Sequence, residues 1–266
     1  MYEFEYLRPS TLADAERALR QHAGAKLLAG GQSLIPALKL RLNRVECLVD
    51  LSGIIGMNSI ERRGSLLAIG AMVTHAEVAE SSVVKKAIPG LAQLAADIGD
   101  PQVRNCGTIG GSIANNDPSA DYPAAVLALG ATLKTNKREI AAEDHFKGLF
   151  AGLGQDEILT EVLFPIPRCF GYAKFPNPAS RFALAGAAVA DTGKGVRVAA
   201  TGAGMNGVFR VRELEAALSS AFRTEGLKKI NIDSSNLISD VHGNAEYRAH
   251  LIGVMTKRAV DACLAG

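Results

Sequence analysis

The order of apolar and polar positions divides the chain into short elements. Leu12, Ala15, Ala18 and Leu19 recur at helical spacing behind Ser10 and Thr11, either of which can cap a helix, and Gly24 stops it. Lys26-Leu27-Leu28-Ala29 reads as a short strand ending in a glycine pair, and Cys47 to Asp50 and Leu66 to Ile69 read as two more. Ile88, Leu91, Leu94, Ala95 and Ile98 define a second amphipathic helix. The pattern then breaks. Gly99 to Asp121 is rich in Gly, Asn, Asp and Pro, which predicts a long loop, functional or disordered, rather than a helix.

Beyond it, a compact helix over Asp121 to Leu129 precedes strands at Ala131 to Lys134, Ile158 to Phe164 and Tyr172 to Phe175. Pro165, Pro167, Pro176 and Pro178 mark a linker or domain transition. Apolar runs follow at Phe182 to Ala190 and Val196 to Thr201. A helix with Val211, Leu214, Ala217, Leu218 and Ala221 on one face comes next, and a last helix turns Leu251, Ile252, Met255, Ala259 and Ala262 inward. Strands mixed with helices that do not alternate regularly predict an α+β fold. A length of 266 residues suits two cores better than one, with expected domains at 1–170 and 171–266.

Charge removes several function classes. Lys plus Arg (29) nearly balance Asp plus Glu (27), so nothing marks a nucleic-acid or membrane surface. No apolar run approaches a membrane span, and the acidic Met1-Tyr2-Glu3-Phe4-Glu5 is unlike a signal peptide, so a cytoplasmic protein is expected. Cys47, Cys106, Cys169 and Cys263 are scattered, with no CxxC pair and no adjacent His, so no metal or iron–sulfur ligation is expected from this chain. His22, His75, His145, His242 and His250 are isolated and are expected at the surface or at helix caps, and no catalytic acid or base stands out.

The chemistry concentrates in two glycine pairs, in Ala29-Gly30-Gly31-Gln32-Ser33-Leu34 and Thr108-Ile109-Gly110-Gly111-Ser112-Ile113. Glycines can bring successive amides within reach of an anion, and Ser and Thr hydroxyls add donors; an ordinary tight turn uses the same residues. Two such loops could grip the two phosphates of a dinucleotide. Neither fits the Rossmann or P-loop pattern. Asp121, at a helix start, reads equally as a cap.

Three stretches carry a family resemblance: AGGQSLIPALKLRL from Ala29, RNCGTIGGSIANNDPSADYPAA from Arg104 and EYRAHLIGVMTKRAV from Glu246. With them the whole chain resembles the medium, FAD-binding subunit of the carbon monoxide dehydrogenase and xanthine dehydrogenase family. The resemblance implies a two-lobed FAD-binding domain of the vanillyl-alcohol oxidase-like (PCMH) type, followed by a smaller α+β flavoprotein C-terminal domain. It places non-covalent FAD against Leu28, Ala29, Gly30, Gly31, Gln32, Ser33, Leu34 and Ile35, against Thr108, Ile109, Gly110, Gly111 and Ser112, and against Asp121. In weaker stretches it adds Ile98, Leu159 and Lys174. Relatives often carry His or Asn in place of Gln32 and Asn in place of Ser112; some carry an extra iron–sulfur insertion, against which the scattered cysteines argue.

The resemblance also implies partners: an iron–sulfur small subunit and a molybdopterin large subunit, in a dimer of heterotrimers. The FAD would pass electrons from the iron–sulfur subunit to an external acceptor. Two other readings use the same loops, a stand-alone flavin reductase of the UDP-N-acetylenolpyruvoylglucosamine reductase type and a non-catalytic nucleotide-binding assembly module.

Overall fold

A computed structural model describes residues 1–148 and 152–265, with Lys228 and Lys229 described by backbone only. The N-terminal lobe is a small parallel sheet: β1 (Glu5–Leu7), α1 (Leu12–Gln21), β2 (Lys26–Leu28), α2 (Leu34–Lys39) and β3 (Cys47–Asp50), with β3 between β1 and β2. Thr11, not Ser10, caps α1 by accepting from the Asp14 amide. β3 is buried along its whole length, as a central parallel strand must be when both faces are covered.

The second lobe adds β4 (Ile60–Arg63), β5 (Leu66–Gly70) and six helices: α3 (His75–Glu80), α4 (Ser82–Ala87), α5 (Pro89–Ala96), α6 (Pro101–Cys106), α7 (Ile109–Asn115) and α8 (Tyr122–Leu129). It finishes with β6 (Thr132–Thr135), β7 (Glu139–Ala141), α9 (Ala142–His145) and β8 (Leu159–Pro165). Its antiparallel sheet has the order β4-β5-β8-β6-β7.

The expected long loop from Gly99 to Asp121 is therefore wrong: it holds α6 and α7. Asp100 caps α6 by accepting from the Val103 amide at 2.8 Å, and Pro101 occupies the first helical position, where a missing N–H costs nothing. Thr108 opens α7. Glycine is a poor helix former, yet Gly110 stands in α7 because a β-carbon there would lie 2.4 Å from the Ala71 β-carbon and 2.5 Å from its carbonyl oxygen. Close packing outweighs propensity.

The C-terminal part is a second antiparallel sheet, β9 (Cys169–Pro176), β10 (Ala183–Asp191), β11 (Val196–Thr201) and β12 (Phe209–Arg210), followed by α10 (Arg212–Ser220) and α11 (Ala245–Ala265). Pro165 and Pro176 close β8 and β9, leaving 166–168 as the connection between the two sheets. β10 is buried from Ala183 to Ala190 because each face meets a different core. Ala188, Ala190 and Ala199 join the larger core, around α8 and the second lobe; Ala185, Val189, Val198 and Ala200 join the smaller core with α10 and α11. The period of two along a strand sorts them. Every residue of α8 is buried, so this helix is the shared wall of the molecule. Among the described residues no helix is long and apolar enough to cross a membrane.

Candidate functional site

The two glycine loops meet. A β-carbon on Gly30 would lie 2.1 Å from the Cys106 carbonyl oxygen and 2.6 Å from the Gly107 Cα, so only glycine lets the first loop lie against the second. Gly31 sits at φ +71°, a left-handed conformation that reverses the chain after β2; there the Leu28 and Ile35 side chains would crowd a β-carbon. The backbone N–H groups of Gly30, Gly31, Gln32, Ser33 and Leu34 have no acceptor among the described residues.

The second loop is different. Its N–H groups are already used: Ile109 donates to the Val73 carbonyl and Gly110 to the Ala71 carbonyl, each at 2.9 Å. Gly111 donates to Thr108 Oγ1 at 3.1 Å, and Ser112 to the Thr108 carbonyl at 3.0 Å. The second glycine pair thus builds a platform welded to residues 71–75, and the first lies over it with free donors.

Between the loops and the β9–β10 turn lies a cavity of about 860 Å³, within the ordinary range for a cofactor site. Of the residues singled out in the sequence, Ala29, Gly30, Gly31, Gln32, Ser33, Leu34, Ile98, Thr108, Gly110, Gly111, Ser112, Asp121 and Leu159 line it. Leu28, Ile35, Ile109 and Lys174 do not. Leu28 and Ile35 buttress Gly31, and Ile109 is fully buried in the larger core.

Asp121 is not the helix cap that its position suggested. Its carboxylate makes no cap hydrogen bond; it accepts from the Tyr172 hydroxyl and, at 3.1 Å, from Lys174 Nζ. Carboxylate and ammonium are both buried. Burial pushes the Asp121 carboxyl above its usual range, with Lys174 and Tyr172 opposing that rise. Burial also holds the Tyr172 and Tyr122 hydroxyls far above their ordinary value, so both stay protonated.

The expectation of surface or capping histidines fails for His75 and His145, which are buried. His75 is the first residue of α3, behind the Thr74–Glu77 capping box, and its ring lies 5.4 Å from that of Tyr122. Burial, aided by the Arg104 charge, lowers its pKa to about 4, so the imidazole is neutral at physiological pH. His145 places Nε2 3.2 Å from the Ile113 carbonyl. Neither packing could be read from spacing, although Thr74-His75-Ala76-Glu77 does spell the capping box.

Sequence reasoning also missed other parts of the wall. His75, Asp117, Glu157 and the turn Ser180-Arg181-Phe182 all line the cavity. Glu157 accepts from Arg138, Thr135 and the Gly154 amide, and the Arg138 hydrogen bond draws its pKa down to about 2. Arg181 donates to the Gly99 carbonyl at 3.2 Å, tying the β9–β10 turn to the second lobe. Glu157 and the 180–182 turn, distant in sequence and outside any motif, carry no local signal for this, whereas Asp117 falls inside the stretch that begins at Arg104.

A run of free amides, a glycine that excludes any side chain, and a deep cavity with buried polar groups on its wall fit a large anionic cofactor such as FAD. Residues 2–167 match the family model for the FAD binding domain in molybdopterin dehydrogenase. The nicotine 6-hydroxylase medium subunit of Paenarthrobacter nicotinovorans is 34% identical, over 96% of this chain and 95% of its own length. The carbon monoxide dehydrogenase medium chain of Hydrogenophaga pseudoflava is 34% identical, over 98% and 97%. A solved structure of reconstituted CO dehydrogenase from Oligotropha carboxidovorans superimposes with a TM-score of 0.92 at 33% identity, covering 99% of this chain and 98% of that one. The chain belongs to the family of FAD-binding medium subunits of molybdopterin-dependent dehydrogenases.

Proposed function

We infer that this chain is the FAD-carrying electron-transfer subunit of a multi-subunit molybdenum hydroxylase. The observation that carries the reading is the run of unengaged amides from Gly30 to Leu34 at the mouth of the cavity, in a chain alike over its whole length to medium subunits. That full-length likeness favours a subunit over a stand-alone reductase. When bound, FAD supplies two-electron and one-electron redox chemistry, accepting electrons from an iron–sulfur partner and passing them to an external acceptor.

The chain's own residues bind and position. The unengaged N–H groups of Gly30 to Leu34 would hold the pyrophosphate, with the Ser33 hydroxyl as a further donor. Thr108 to Ser112 form the floor, with Gly110 seated against Ala71 and Gly111 against Thr108 and Ala29. Asp121 presents a carboxylate oriented by Tyr172 and Lys174, ready to accept a hydrogen bond from the nucleotide. Ile98 and Leu159 supply apolar wall, and neutral His75 adds no charge to it. No residue need act as acid or base on the organic substrate, which is oxidised on another subunit.

The partners we propose are an iron–sulfur small subunit and a molybdopterin large subunit in a dimer of heterotrimers, located in the cytoplasm. We place the domain boundary in the short 166–168 connection just before β9, a few residues ahead of the expected 170/171, as the two cores support. The test is native purification followed by flavin, iron and molybdenum assay and analytical ultracentrifugation. One FAD per chain, with metals in co-purifying chains and a mass near two heterotrimers, is expected. Flavin-free chain in an otherwise metal-replete complex would overturn the reading.

A further inference from the structure

The four cysteines are not equally placed. Cys47 is buried and Cys106 exposed, far from any other thiol in sequence, but Cys169 and Cys263 bring their sulfurs to 2.6 Å across 94 residues. Cys169 is the first residue of β9, and Cys263 stands in the last turn of α11. A separate feature explains why they meet. A β-carbon on Gly171 would lie 2.0 Å from the Ala259 carbonyl oxygen and 3.1 Å from the Cys263 amide nitrogen, so helix and strand touch backbone to backbone there. Cys169, two residues from Gly171 on the same face of β9, meets Cys263 at this close approach.

We propose that Cys169 and Cys263 form a reversible dithiol/disulfide pair, a modification site that fastens the C-terminal helix to the first strand of its sheet. Cys169 is half-buried whereas Cys263 is buried, so Cys169 is the sulfur that a small oxidant meets first. The order of events follows. The Cys169 thiol loses its proton and its sulfur attacks one sulfur of glutathione disulfide, expelling one glutathione thiolate, which takes up that proton. Cys263 then gives up its proton as its sulfur attacks Cys169 Sγ, expelling the second glutathione as a thiol. Two cysteine thiols are oxidised and one glutathione disulfide is reduced to two thiols. The hydrogen bond between the sulfurs holds the Cys169 thiol below its ordinary value, which suits an attacking group, and the same bond with burial pushes Cys263 up.

The site is independent of the FAD assignment and is tested on the native complex. The complex is incubated with glutathione disulfide, free thiols are blocked, and unreduced peptides are mapped by mass spectrometry. A Cys169–Cys263 cross-linked peptide that disappears on reduction is expected. In Cys263→Ser, Cys169 should instead trap one stable glutathionyl group; in Cys169→Ser, Cys263 should stay unmodified. Absence of the cross-link under conditions that fully modify Cys106, or its appearance only after denaturation in urea, would overturn the proposal, as would an unmodified Cys169 in Cys263→Ser.

Discussion

Gly30–Gly31 and Gly110–Gly111 look interchangeable along the chain, yet their backbones do different things. The first pair stands between a strand and a short helix with its amides unengaged, one of its glycines held at positive φ. The second pair lies inside a helix with every nearby amide satisfied by residues 71, 73 and 108. In the function we propose, the first loop is the receptor and the second is the floor that holds it in place. The same composition leaves donors free in one case and serves close packing in the other; only the partners of each N–H tell them apart.

The sharpest way to break this contrast is Gly110→Val. Its β-carbon would sit within 2.5 Å of Ala71 backbone and side-chain atoms, so it should cost about 3 kcal/mol or more of stability, with flavin lost because the floor is lost. Urea unfolding would check this. A folded Gly110→Val chain of normal stability that merely failed to retain flavin would make the second loop a receptor after all.

The next test concerns the support behind the floor. The His75 amide donates to the Gly107 carbonyl at 2.9 Å, and its ring is buried beside that loop. Its folded pKa of about 4 lies below the unfolded value of about 6.5, so the unfolded chain binds a proton first as the pH falls. The stability of the neutral, buried imidazole is intact above pH ~6.5 and is lost progressively down to pH ~4, by about 3 kcal/mol in all. His75→Phe should flatten that part of the stability profile in chemical denaturation between pH 7 and 4; an unchanged slope would mean that His75 does not set it.

Smaller effects are expected at the receptor. Gly31→Ala forces an L-residue to φ +71° and should cost about 1–2 kcal/mol of stability. Because it displaces the free amides, it should lower flavin occupancy by about tenfold, measured as flavin per chain after gel filtration. Gln32→Ala should be the mildest, within about 0.5 kcal/mol in stability, since the Gln32 side chain is exposed and makes only a 3.3 Å contact to the Gly30 carbonyl. Equal flavin loss in Gln32→Ala and Gly31→Ala would shift the weight from backbone to side chain.

Much of the fold and of the site is legible in the sequence itself. Val196 to Thr201 appears as a strand with the expected limits, and the helices at 12–21 and 245–265 follow their apolar faces. Both glycine segments and Asp121 do reach one cavity. What escapes a reading of the sequence is decided by tertiary contact. The helix α7 is hidden because Gly110 and Gly111 depress local helix propensity, and the reason for Gly110, Ala71, lies some forty residues earlier. Asp121 looks like a cap because its partners, Tyr172 and Lys174, are on a strand of the other sheet. The burial of His75 depends on Tyr122, and the cavity wall at Arg181 on a turn with no periodic signature.

The distinction between receptor and floor is tested most directly by amide hydrogen exchange on the native complex before and after the flavin is stripped. The account predicts that exchange at Gly30 to Leu34 is slow with FAD and becomes fast without it, while Ile109 to Ser112 stay protected in both states. Loss of protection at Ile109 to Ser112 on flavin removal, with Gly30 to Leu34 unchanged, would contradict it.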